Sequence, residues 1–85
     1  MTRSIYSEPH KALVGCLIQA RHDAGLRQED LADRLGKPQS FVSKVERGER
    51  RLDLVEFLIM ARAVGADPKA ILDAVSDVLT PADRI

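Results

Sequence analysis

Glycine and proline fall at intervals that leave room for helices and little else. Gly25, Gly36, Gly48 and Gly65, with Pro38, Pro68 and Pro81, cut the chain into short pieces. Glycine ends a helix by tolerating left-handed backbone, and proline by lacking an N–H. Inside the pieces, apolar residues recur with the 3.6-residue period of a helix that buries one stripe. Between His10 and Ala24 they are Leu13, Val14, Leu17, Ile18 and Ala20, and Gly25 is placed to cap that helix. A second helix is expected from about Gln28 to Leu35, with Leu31, Ala32 and Leu35 inward and Gly36 as its break. Pro38 is tolerated at the start of a third, about Gln39 to Arg47, which carries Phe41, Val42 and Val45 and stops at Gly48. Leu54, Phe57, Leu58 and Ala61 mark a fourth. Asp67-Pro68 is a cap followed by a first-turn proline, and it opens a fifth helix with Ile71, Leu72, Val75, Val78 and Leu79, closed by Thr80-Pro81. There is no period-2 strand pattern and no Asn-Gly or Asp-Gly hairpin turn. The expected fold is all-α, a compact bundle of five helices.

Composition removes whole classes of function. With 85 residues the chain has room for one domain, whose core buries roughly 60% of the unfolded surface. The one cysteine, Cys16, excludes an internal disulfide; among the apolar residues of the first helix it reads as a small buried hydrophobe. No apolar run approaches the ~18 residues of a membrane span, and Met1–Pro9 lacks the basic-then-apolar order of a signal peptide. A cytoplasmic protein with no membrane partner is expected. His10 and His22 have no cysteine or paired acid at ligand spacing, so both read as surface or capping residues and no metal site or cofactor is expected. No serine stands in a His-and-acid pattern and no Gly-rich phosphate loop exists, so no enzyme is expected.

Thirteen Lys and Arg balance thirteen Asp and Glu, for a net charge of zero. The distribution is uneven. From Arg34 to Arg51 six basic residues meet two acids, +4; residues 52–85 carry −3 and residues 1–33 carry −1. The basic block coincides with the third helix and the loop after it. A solvated face is the ordinary reading of such a run; a phosphate-facing one is the alternative.

The second and third helices, joined by a tight turn at Gly36, have the layout of a helix-turn-helix. Small Ala32 lets the helices approach, while Val42 and Val45 pin the third helix to the core. Its other face then carries Gln39, Ser40, Ser43, Lys44 and Arg47. Gln pairs with adenine through two hydrogen bonds, Lys favours guanine, and Ser adapts to either.

The run Gly25-Leu26-Arg27-Gln28-Glu29-Asp30-Leu31-Ala32-Asp33-Arg34-Leu35-Gly36, followed by Gln39-Ser40-Phe41-Val42-Ser43-Lys44-Val45-Glu46-Arg47-Gly48-Glu49-Arg50-Arg51, resembles the XRE or Cro-type family of phage and bacterial repressors. The likeness spans roughly residues 10–75. It implies a lambda repressor-like DNA-binding bundle, with double-stranded DNA as the partner. In that likeness Gln28 holds a phosphate at the start of the second helix. Gln39, Ser40 and Lys44 read base edges, Ser43 and Arg47 reach bases or phosphates, and Arg50 and Arg51 lie beside the DNA backbone. Arg21 and Glu46 match an ion pair tying the first helix to the third. Two positions depart from the family. Arg27 stands where the N-cap is usually Thr or Ser, so the helix start loses a cap and gains a candidate phosphate contact. Pro38 replaces another usual Ser or Thr.

Leu52, Val55, Ile59 and Met60 add apolar surface beyond the main stripe of the fourth helix, and the fifth is apolar around more than one face. These residues are either additional core or an interface. The family commonly pairs through its C-terminal helices, which makes Leu52, Val55, Ile59, Val75, Val78 and Leu79 the candidate dimer interface. A small partner protein, such as a toxin covered by its antitoxin, is the other candidate occupant. The expected division is an N-terminal arm (1–9), a DNA-binding domain (10–79) that leaves no room for an effector domain, and a C-terminal tail (80–85). Phe41 is either the edge of the core or a contact for a thymine methyl.

Overall fold

The computed structural model describes residues 7–85. It has five helices in order: α1 (Glu8–Asp23), α2 (Gln28–Leu35), α3 (Gln39–Glu46), α4 (Leu54–Ala63) and α5 (Pro68–Val78), with no strand among the described residues. The arm expected over 1–9 lies outside the described residues as far as position 6; beyond it the helix has already begun. The Ser7 hydroxyl accepts the His10 N–H at 3.3 Å, and Pro9 sits in the first turn, where its missing N–H costs nothing.

Each helix stops where the sequence punctuates it. Gly36 adopts φ +67°, the left-handed conformation in which the Gly36 and Lys37 N–H groups donate back to Asp33 O and Ala32 O at 3.2 and 3.0 Å. A side chain there would be strained, so the tight α2–α3 turn requires glycine. α4 starts on a complete capping box: Asp53 accepts the Glu56 N–H at 2.7 Å, and Glu56 accepts the Asp53 N–H at 2.9 Å.

α1 packs along α5, and α2 along α3, with α4 closing the bundle against α2 and α5. The core is Leu17, Leu31, Ala32, Val42, Val45, Phe57, Met60, Ala61, Val64 and Ile71. Leu13, Cys16, Ala20, Leu35, Phe41, Leu52 and Val75 are half-buried and packed against it. Val14 and Ile18 instead line a shallow groove beside Arg47 and Gly48.

Several sequence expectations change. On α4 the buried set is Phe57, Met60 and Ala61, continued by Val64, whereas Leu54 and Leu58 face out. Both this set and the expected one follow i, i+3, i+4, i+7, one turn apart. On a helix apolar all round, the pattern does not select between them. Met60 is therefore core and not additional surface. Leu52 and Val75 also pack inward, which removes most of their area from any interface. His10 is not a surface residue. It is 6% exposed, lining a cavity of about 360 Å³ with Leu13, Arg51, Val75 and Leu79. Its Nε2 has no hydrogen-bond partner among the described residues, and burial, then the nearby Arg51 charge, pushes its pKa down.

Candidate nucleic-acid interface

The candidate face is the outer side of α3. Val42 and Val45 are buried one helical turn apart, which turns Gln39, Ser40 and Lys44 outward; Ser43 is half-buried between them. Pro38 occupies the N-cap position in extended backbone with no side-chain cap. The exposed start of α3 is thus open to solvent on the side where Gln39 and Ser40 stand.

Beneath this face lies a buried ion pair. Arg21 donates from Nε to Glu46 Oε2 at 2.7 Å and from Nη2 to Glu46 Oε1 at 2.9 Å, and both side chains are 9% exposed. Arg21 Nη1 also donates to Leu26 O at 2.8 Å, so the guanidinium joins α1, the α1–α2 loop and α3. The pair answers why an acid sits inside the basic block: Glu46 faces inward and away from solvent.

The polar chain continues outward. Gln28 Nε2 donates to Glu46 Oε1 at 2.9 Å, and Gln39 Nε2 donates to Gln28 Oε1 at 3.0 Å. The first residues of α2 and α3 are therefore held together through their side chains. No sequence pattern announced this contact, since it depends on the crossing of two helices.

The arginines are less available than their sequence positions promised. Arg27 donates from Nε to Asp30 at 3.2 Å and pairs with Glu29 at 2.7 Å. Its backbone N–H also donates to Asp30 Oδ2 at 2.8 Å, which keeps half a capping box where arginine cannot supply the other half. Arg47 donates to Ser43 Oγ at 2.7 Å and to both oxygens of Glu49 at 3.1 and 3.2 Å. These arginines hold the Asp30 and Glu49 carboxyls below the usual carboxylate range. Both arrangements are exposed, where water and salt weaken ion pairs, so a phosphate can replace either carboxylate at little cost.

Arg50 and Arg51 diverge from α3. Arg50 grips both oxygens of Glu56 at 2.7 Å, tying the loop to the start of α4 and holding that carboxyl down at about 2. Arg50 also stacks over Phe41 at 5.1 Å, with Lys37 over the same ring at 5.5 Å. Phe41 thus packs toward α4. Lys37, which sequence reasoning passed over, stands in the turn beside the face. Arg51 lies by His10 in the cavity between α1 and α5. Of the nine proposed DNA contacts, Gln28, Gln39, Ser40, Ser43, Lys44 and Arg47 form one surface, Arg27 flanks it, and Arg50 and Arg51 lead away.

No helix is long and apolar enough to cross a membrane, and no metal-holding cluster of His, Cys, Asp or Glu occurs among the described residues. A tight turn, a core-pinned second helix and a polar outer face with basic flanks define a DNA-binding helix-turn-helix domain. The profile described as helix-turn-helix domain matches residues 12–73. An XRE-family like protein from Pseudomonas syringae pv. tomato str. DC3000 is similar at 47% identity and a TM-score of 0.77, over 85% of this chain and 88% of that one. The clp gene regulator ClgR from C. glutamicum shares the fold at 22% identity and a TM-score of 0.74, over 87% of this chain and 95% of that one. No curated protein matches. The chain belongs to the XRE-type helix-turn-helix family, a family of DNA-binding transcriptional regulators.

Proposed function

We propose that the protein is a repressor that binds a near-palindromic operator as a homodimer. Residues 10–79 form its DNA-binding domain, and it works in the cytoplasm, where the operator is. The observation that carries this reading is the outer face of α3. Gln39, Ser40 and Lys44 stand exposed on a helix whose opposite side is fixed in the core. Gln39, Ser40 and Lys44 read base edges in the major groove. Gln28 and Ser43 hold phosphate or flanking bases, Arg27 and Arg47 exchange their exposed carboxylate partners for the DNA backbone, and Arg50 and Arg51 stand beside that backbone in the loop after α3.

Two such helices reach successive major grooves about 34 Å apart when the protein pairs about a two-fold axis. The exposed apolar residues Val55 and Ile59 of α4, joined by Leu54 and Leu58, and Val78 and Leu79 at the end of α5, support pairing. The same α4 stripe supports a second reading, in which a small partner protein such as a toxin covers it and DNA binding is secondary.

Selection of bound sites from a randomised duplex library tests the reading. A two-fold symmetric consensus is expected. No enrichment overturns DNA recognition, and an asymmetric single half-site overturns the homodimer. Co-purification of a second small protein on α4 would favour the partner reading.

A further inference from the structure

We propose that the cavity between α1 and α5 binds a small monocarboxylate with an apolar body, held by Arg51 and His10. The cavity measures about 360 Å³, at the lower end for small-molecule sites and far more than a single water fills. Leu13 of α1, with Val75 and Leu79 of α5, gives it an apolar wall. His10, Arg51 and Arg84 bring polar groups to that wall from α1, from the loop after α3 and from the tail. An apolar hollow with a few convergent polar groups is the usual form of a ligand site.

The polar groups select the ligand. His10 is more than nine-tenths buried, and its Nε2 finds no hydrogen bond among the described residues, an arrangement that costs free energy. Burial and Arg51 lower its pKa from 6.5, so the ring is neutral at pH 7 and offers one N–H but no charge. Arg51 supplies the charge. Arg27, Arg47 and Arg50 are each held by a carboxylate, whereas the Arg51 guanidinium has no ion-pair partner among the described residues. The tail satisfies itself: Asp83 accepts from the Thr80 N–H and hydroxyl, and Arg84 donates to the Pro81 and Asp83 carbonyls. One uncommitted cation near an acid suits a single negative charge and disfavours a phosphate dianion. The carboxylate accepts from Arg51 and from His10 Nε2, and its hydrocarbon part lies along Leu13, Val75 and Leu79. Nε2 is enclosed, so ligand entry turns the ring about its Cβ–Cγ bond, a broad torsion in histidine.

Such a site gives a bundle with no effector domain a way to answer a small molecule. Arg51 also stands beside the DNA backbone, and only this step rests on the DNA-binding reading. A guanidinium engaged by a carboxylate is withdrawn from phosphate, so the ligand weakens operator binding, and by linkage DNA weakens the ligand by the same factor.

The experiment titrates the full chain with hexanoate, with hexanamide as its uncharged match and inorganic phosphate as an anion without an apolar body, followed by two-dimensional NMR. Hexanoate should saturate at millimolar concentration and move the His10 ring signals and the methyls of Leu13 and Val75. Hexanamide and phosphate should each bind about tenfold more weakly. Arg51 is exposed, so Arg51→Gln should keep the fold; it should weaken hexanoate about tenfold, the scale of one charged hydrogen bond. Unmoved His10 signals, shifts confined to Val55 and Ile59, equal binding of hexanamide, or an unchanged affinity in Arg51→Gln overturns the site. Saturating hexanoate should lower operator affinity about fivefold in the unaltered chain and leave Arg51→Gln indifferent. An operator affinity that ignores bound hexanoate overturns the link to DNA. Failure of the library selection to enrich any sequence overturns DNA recognition instead and does not touch hexanoate binding.

Discussion

α3 and α4 are neighbours in sequence that bury similar inner faces and present opposite outer ones. α3 anchors itself with Val42 and Val45 and shows Gln39, Ser40 and Lys44 to solvent. α4 anchors itself with Phe57, Met60 and Ala61 and shows Leu54 at 65%, Val55 at 64%, Leu58 at 41% and Ile59 at 54% exposure. Scattered apolar residues on a surface are ordinary. Four on adjacent turns of one helix make a patch that gains by being covered. A polar outer face carries no such demand and is stable in water, so α3 is shaped for a ligand that comes and goes. The bundle thus separates a hydrogen-bonding side from an apolar side, with the Arg50–Glu56 pair bridging the loop between them.

The largest effect should come from removing the buried anchor of α3. Glu46→Ala leaves the Arg21 charge buried without its partner and should cost roughly 3–5 kcal/mol, a large share of the stability of a domain this size. Thermal unfolding of that variant against wild type measures it; a change below about 1 kcal/mol would mean the pair is dispensable. On α4, the two faces should respond unequally. Met60→Ala should cost roughly 2–5 kcal/mol and Leu58→Ala well under half of that, read from denaturant midpoints at constant slope. A larger cost for Leu58→Ala than for Met60→Ala would return α4 to the register expected from sequence.

Function should divide along the same line. Lys44→Ala should cost on the order of 1–3 kcal/mol on the selected site, relax its sequence preference and leave the melting temperature near wild type. Equal loss on random DNA would assign Lys44 to phosphate alone. Ile59→Lys should leave the monomer folded and shift it from dimer to monomer in sedimentation, with weaker operator binding as the result. Unchanged mass would remove α4 from the interface and leave Val78 and Leu79 as the candidates.

The sequence was most informative where a residue type has one physical use. Gly36 was readable as a left-handed turn, and Leu31, Ala32, Val42 and Val45 as the contact between α2 and α3, because glycine and apolar spacing permit little else there. Arg27 was readable as a poor cap. That Asp30 still accepts its backbone N–H follows from an acid at the third helical position. α4 was not readable in register, because a helix apolar on every side satisfies the period twice. His10 stands on the Leu13–Leu17 stripe of α1, so its burial follows the helical period and only its polarity argued for the surface. Arg50 looked like one more member of a basic run, and its attachment to Glu56 depends on a loop path that composition does not encode. Charge at the candidate site was therefore easier to count than to assign: two of the arginines that make the block basic, Arg47 and Arg50, are held by Glu49 and Glu56, and Arg27 ahead of the block is held by Asp30. The exchange of Arg27 and Arg47 onto phosphate is expected to soften the dependence of binding on salt relative to a surface of unpaired cations.

The smallest effect concerns pH, and it separates the joint between the helices from the cavity behind it. Glu56 titrates at about 2 in the folded protein, against 4.5 in the unfolded chain, chiefly through the Arg50 hydrogen bonds and then the Asp53 N–H, with Lys37 adding a weak attraction. A lowered carboxyl pKa contributes stability that is complete above 4.5 and is lost as pH falls from there toward 2. His10 acts in a different window and by the opposite chemistry. Burial and Arg51 lower its pKa from 6.5, so the folded protein resists a proton that the unfolded chain accepts. Stability is therefore unaffected well above 6.5 and declines as pH falls below it. Chemical denaturation from pH 8 to pH 3 should show two successive declines. Glu56→Gln should shrink the lower decline, to which Asp30 and Glu49 also contribute, and keep the upper one, whereas His10→Gln should abolish the upper decline and keep the lower. A single decline removed by both substitutions would show that the α3–α4 joint and the cavity beside α1 titrate as one unit.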